Sequence, residues 1–192
     1  MGQDDDLNAS IAHIVLCCVA GHGISRMRSQ SFTDPGMHGN CFIHGVLGFL
    51  HYQSGMFNND FKPAYVISYK ATRYLPLPCL MADLYRSDQG LSALHLVSGL
   101  IPFALALSGN DNVPLGNLMI ACNIISLCHY SIQRGTEWGW YTAGAGVFAY
   151  FLTPQVGVKV LYPLGLALME YCAYRIYHGH FSAPTGPPSR CS

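Results

Sequence analysis

LSALHLVSGLIPFALALS, Leu91–Ser108, contains no Asp, Glu, Lys or Arg. It lies inside a longer uncharged run, Gln89–Asn110. A helix crossing the hydrocarbon core needs about 20 mostly apolar residues, and this run supplies them. Four more uncharged runs flank it: Leu7–Ser25, Pro35–Asn59, Asn112–Gln133 and Trp138–Val158. Turn-forming residues separate the runs at Asp34-Pro35-Gly36, Asn58-Asn59-Asp60, Gly109–Pro114 and Arg134-Gly135-Thr136.

The whole chain has the same character. Of its 192 residues only 10% are charged, against roughly 25% in soluble domains. Apolar residues make up 51%, and the mean hydropathy is +0.25. Ten basic and ten acidic residues cancel, so no basic excess is available for a nucleic-acid backbone. The composition excludes a soluble enzyme, a disordered chain and a nucleic-acid binder. It predicts an all-α polytopic transmembrane bundle whose partner is the lipid bilayer.

Two further apolar segments carry charge. Val160–Tyr177 contains Glu170 and Arg175, and Arg175 can snorkel to the nearby end. Pro63–Tyr85 contains Lys70 and Arg73, which would lie near mid-membrane. Counting both gives about seven spans. Arg26, Arg28, Arg86, Arg134, Arg175 and Arg190 then share one face, with Lys62 and Lys159 on the other. The basic face is cytoplasmic, which places the C-terminus inside and the N-terminus outside. If residues 61–85 lie instead in the interface, six spans remain and both termini are cytoplasmic. Seven is preferred because Tyr74–Tyr85 is too apolar for a loop. The spans form one domain, residues 1–181, followed by a short disordered cytosolic tail at 182–192. The short, polar-flecked spans suggest an endomembrane, the endoplasmic reticulum.

The eight Cys lie mostly in apolar stretches, and none has CxxC spacing, so they read as small hydrophobes. The acidic start Gln3-Asp4-Asp5-Asp6 is not the basic region of a cleaved signal, so the first apolar run is expected to stay as a span.

Polar residues inside spans are the functional candidates. His44, Gly48, His51 and Gly55 share one helix face. Helical rise puts His44 and His51 about 10 Å apart, too far to share one ion directly. Cys122, Ser126, His129 and Gln133 form a second stripe, and Glu170, Tyr174 and His178 a third. The candidate catalytic groups are Glu170, His129 and His178. The candidate metal ligands are His44, His51, His129 and His180. No HExxH, nucleophile elbow or cofactor fingerprint accompanies them, so no cofactor is assigned. Lys70 and Arg73 are candidates for lipid binding. Glu170 is expected to face the interior and to pair with Lys70 or Arg73, which would pack Pro63–Tyr85 against the last span. Gly139, Ala143 and Gly146 form a small-residue stripe for close packing within the fold, for a homodimer or for other membrane proteins.

These features point to a non-enzymatic scaffold or lipid-contacting accessory component. The alternatives are a lipid-directed, metal-dependent membrane enzyme using the span His and Glu residues, and a small transporter.

Overall fold

The computed structural model describes residues 6–26 and 34–182, and every regular element among them is helical. The helices are α1 (Leu7–Arg26), α2 (Asp34–Tyr52), α3 (Ser54–Phe57), α4 (Lys62–Tyr74), α5 (Pro76–Leu84), α6 (Gln89–Leu107), α7 (Val113–Arg134), α8 (Glu137–Val147), α9 (Thr153–Val156) and α10 (Leu161–Ser182). A π-helical turn, Phe148–Leu152, joins α8 to α9. Arg28, Arg190, Cys191 and the tail from residue 183 lie outside the described residues, as does the side chain of His180.

Local chemistry sets the ends. Asp6, Asp88 and Asn112 accept the backbone N–H groups of Ala9, Leu91 and Leu115 at 3.0, 3.0 and 3.1 Å. Each satisfies a donor that its helix leaves unpaired. Gly135, at φ 61°, closes α7 in the left-handed conformation that a side chain disfavours. Prolines divide the longer columns. Pro76 has no N–H for the carbonyl of Thr72, and the helix breaks at Leu75 into α4 and α5. Pro154 likewise leaves the carbonyl of Tyr150 without its i+4 donor, and the backbone there widens into the π turn.

The helices stack as seven successive columns: α1, α2, α4–α5, α6, α7, α8–α9 and α10. Six pairings fix their register, and each runs antiparallel. Gly48 meets His13 while Gly23 meets His38. Tyr65 contacts Tyr52 while Ser68 bonds His44. Ser92 bonds the Ala82 carbonyl while Gly99 seats against Pro78 and Tyr74. Asn123 bonds Ser98 while Ser126 bonds His95. Gly139 touches Ser131 while Gly146 touches Ile124. Gly165 touches Ala149 while Arg175 lies over Trp138. The chain therefore reverses direction at every connection. One end gathers Asp6, Tyr52, Lys62, Asp111 and Lys159; the other gathers Arg26, Arg86 and Arg134.

Polar side chains are buried among the apolar core, and large apolar side chains face outward. His13, His38, His44, Thr72 and Glu170 are fully buried, and Asn123 and Ser131 nearly so. Leu94, Ile125 and Ile132 are 62%, 68% and 69% exposed. Apolar surface on this scale marks contact with something other than water. Among the described residues three helices, Leu7–Arg26, Gln89–Leu107 and Val113–Arg134, are long and apolar enough to cross a membrane. The column at 62–84 contains no unbroken helix of that length because Pro76 divides it. All nine residues of α5 are buried. The small-residue stripe is used inside the chain. Gly139 is closed against Ser131, Gly146 against Ile124 and Leu77, and Ala143 is buried.

Candidate functional site

The end of the bundle that carries Lys159 holds a cluster of imidazoles and phenols. His13 comes from α1, His44, His51 and Tyr52 from α2, Tyr65, Ser68 and Tyr69 from α4, and Tyr162 from α10. The i, i+7 spacing of His44 and His51 has a direct use. The Tyr65 ring stacks on both, at 5.2 Å and 19° from His44 and at 4.7 Å and 20° from His51. Two stacking distances fill the two helical turns between them. Gly48, on the same face, leaves room for the His13 ring, which a Cβ there would overlap. His13 meets His44 edge to face at 5.3 Å.

Hydrogen-bond directions assign the protons. The Ala9 carbonyl can only accept, so His13 Nδ1 donates to it at 2.8 Å. The Ser68 hydroxyl donates to the Tyr65 carbonyl at 2.8 Å and accepts from His44 Nδ1 at 2.9 Å. In both neutral rings Nε2 is therefore a bare acceptor. Neither Nε2 has a hydrogen-bond partner, and both are buried. His95 shows the contrast: its Nδ1 bonds Asn123 at 2.8 Å and its Nε2 bonds Ser126 at 3.2 Å.

Above this cluster opens a cavity of about 150 Å³. Its walls are Tyr52, Tyr65, Tyr69 and Tyr162, with Thr153, Pro154, Gly157 and Val158, and Lys159 lies at its edge. Gly157, at φ 69°, turns the chain from α9 so that Lys159 reaches back over Tyr52, 5.4 Å from the ring centre. Among the described residues the lining contains one ammonium group, four phenols and no carboxylate. Such a site favours an anion that can accept hydrogen bonds from hydroxyls. In the segments that flank this end of the bundle Met56, Phe57, Val156 and Val158 are exposed.

The other candidates fall elsewhere. Glu170 is fully buried as expected, but its partner is His38, through Nδ1 and Oε2, rather than Lys70 or Arg73. Lys70 donates to the Ala106 carbonyl at 2.7 Å, at the C-terminal end of α6. Arg73 donates to Asn117 at 2.7 Å and lies over the Tyr74 ring. Both cations proposed for lipid are thus engaged by protein groups around the α6–α7 connection, where a helix C-terminus also favours positive charge. Helix α10 does contact α4 and α5, through Tyr162 with Thr72 and Tyr177 with Asp83. His129 is exposed on α7 beside Gln133, and His178 is exposed near Tyr174. The structure does not bring His129, Glu170 and His178 together, and no group of three or more metal-ligating His, Cys, Asp or Glu occurs among the described residues. His44 and His51 do share a cluster, with Tyr65 between them. No pattern in the sequence marks His13, His38, Tyr52, Tyr162 or Lys159 as site residues. The His13–Gly48 match, one bulky and one absent side chain on facing helices, leaves no periodic signal in α1, so only the Gly48 half of it is legible in the sequence.

A second cavity, of about 500 Å³, lies at the opposite end between Tyr130, Arg134, Glu137, Trp138 and Ile176. Its lining carries both signs of charge and selects no ligand class.

No family model, curated protein or solved structure matches this chain.

Proposed function

We propose that the chain is a seven-span integral membrane protein acting as a non-enzymatic, lipid-contacting component, which seats the phosphate of a lipid headgroup under Lys159. The observation that carries the ligand is the described lining of the cavity: one ammonium group, four phenols and no carboxylate, at an end of the bundle where Met56, Phe57, Val156 and Val158 are exposed. A phosphate accepts hydrogen bonds from phenols and pairs with the ammonium, while its acyl chains can follow the exposed apolar faces of the helices.

Six successive antiparallel pairings and an apolar exterior favour seven crossings. The full burial of α5 argues against residues 61–85 lying flat in the interface. Arg26, Arg86 and Arg134 gather at the end opposite Lys159, which supports a cytoplasmic assignment for the arginine end and, with it, for the C-terminus. The 19 residues of α6 extend about 28 Å. That length matches a hydrocarbon core of about 30 Å, the thickness that a spanning helix must cross.

The test is lipid retention by the protein purified in detergent, read by native mass spectrometry. Wild type should keep one phospholipid, Lys159→Arg should keep it, and Lys159→Ala should lose it. Inorganic phosphate alone should compete weakly because it lacks the chains. Equal retention by wild type and Lys159→Ala, or equal retention of diacylglycerol, would contradict the reading.

A further inference from the structure

Ser131, Thr142 and Thr153 each donate their hydroxyl to the carbonyl four residues back, a common use of such a group inside a helix. The Ser126 hydroxyl instead lies 3.2 Å from Nε2 of His95 on the facing helix α6. The surrounding bonds assign the protons. The Met119 carbonyl only accepts, so Asn123 Nδ2 donates to it at 2.8 Å and to Ser98 Oγ at 2.9 Å. Asn123 Oδ1 therefore faces His95 and accepts from its Nδ1–H at 2.8 Å. That leaves Nε2 of the neutral ring as the acceptor for the Ser126 proton. The Tyr85 ring, stacked on His95 at 5.5 Å and 13°, fixes the plane of the imidazole. A hydroxyl held on a base that is itself oriented by a third group is the arrangement of an activated nucleophile. His95 and Asn123 are buried, whereas Ser126 is half-buried, on the stripe of α7 that also carries the exposed Cys122 and His129.

We propose that Ser126 is an acylation site, which takes a long-chain acyl group from a thioester with His95 as the base and Asn123 as the positioning residue. Ser126 Oγ attacks the thioester carbonyl, and its proton passes to His95 Nε2. The carbon–sulfur bond breaks and the proton goes on to the leaving thiolate. The products are an O-acyl serine and a free thiol. Exchange of a thioester for an oxygen ester is downhill, so no further reactant is needed. The acyl chain has a surface to follow, because Leu118, Ile125 and Ile132 form an exposed apolar stripe along α7. The carrier has one too. Arg134 stands eight residues beyond Ser126, about 12 Å along the helix, and Arg86 shares that end of the bundle. Cations above and apolar side chains beneath suit a thioester on an anionic carrier. With α7 crossing the membrane, the ester lies in hydrocarbon, away from the water that would remove it. The modification is therefore stoichiometric, and it does not depend on the occupant of the Lys159 cavity.

The experiment incubates the full-length protein, in phosphatidylcholine vesicles, with palmitoyl-coenzyme A. Neutral hydroxylamine then strips acyl groups from cysteines, and mass spectrometry with fragmentation locates what remains. Wild type should keep one palmitoyl group, on Ser126, and release it in alkali. Ser126→Ala should keep none. His95→Gln should slow acylation about 10²–10⁴-fold. Asn123→Asp keeps an acceptor for the His95 Nδ1–H and should retain the reaction. Asn123→Leu removes that acceptor and should slow acylation about tenfold or more. The site mapped in wild type stands even if a variant fails to fold. No acyl group left on wild type after hydroxylamine, an oxygen ester on another residue, or an unchanged rate in His95→Gln would overturn the proposal.

Discussion

Tyr150 donates its hydroxyl to the carbonyl of Thr72 at 3.0 Å, replacing the helical donor that Pro76 lacks. A proline inside a membrane helix is tolerated when a neighbouring helix satisfies the freed carbonyl, and here the donor comes from the π turn before α9. The same connection orients Tyr162, whose hydroxyl lies 3.2 Å from Thr72 Oγ1, at the floor of the Lys159 cavity. A break that looks like a defect in one column thus organises three columns around the site.

Tyr150→Phe should therefore destabilise the protein by about 1–3 kcal/mol, the cost of one buried acceptor left unpaired. In a Pro76→Ala background the restored N–H can serve Thr72, and the cost of Tyr150→Phe should fall well below that. Equilibrium unfolding of the four proteins in detergent measures the coupling. Equal costs in both backgrounds would count against this role for Tyr150.

The buried Glu170–His38 pair makes a second prediction. Removing one partner of a buried pair costs about 3–5 kcal/mol, so Glu170→Ala should be severe. Glu170→Gln keeps a hydrogen bond to His38 and should be milder. Reversing charge between Arg73 and Glu170 should rescue nothing, since Arg73 bonds Asn117. Unfolding midpoints of the single and double variants read both outcomes.

The glycines divide by what a methyl group would meet. Gly48→Ala forces a methyl into the His13 ring and should cost about 1–3 kcal/mol. Gly144 faces open space inside α8, and Gly144→Ala should stabilise by about 0.4–1 kcal/mol. Thermal unfolding of the two variants should move in opposite directions.

Much of this architecture is legible in the sequence, and the reason is period. Uncharged runs mark α1, α6 and α7 because span length is a local property. The stripe of His44, Gly48 and His51 is legible for the same reason. The partners that give the stripe its meaning are not. His13 lies 31 positions from His44 in the chain, and nothing in α1 marks it as facing Gly48. Glu170 illustrates the limit. Its burial follows from an acid in an apolar run, but its partner was sought among full charges, whereas the fold supplies the imidazole of His38 from α2. The carbonyl and amide that hold Lys70 and Arg73, of Ala106 and Asn117, lie more than 30 residues away in the chain, so no local pattern marks these contacts.

The most direct test of the account is the sidedness of the two ends of the bundle. Single cysteines at Asp60, Asp111 and Lys159, and at Arg86 and Arg134, would be placed in a background lacking the native thiols. They would then be labelled with an impermeant maleimide in sealed cells and again after selective permeabilisation of compartments. The account requires Asp60, Asp111 and Lys159 to react together on the side away from the cytosol, and Arg86 and Arg134 to react on the cytosolic side. Labelling of Lys159 and Arg134 from the same side, or recovery of the protein in the soluble fraction without detergent, would contradict it.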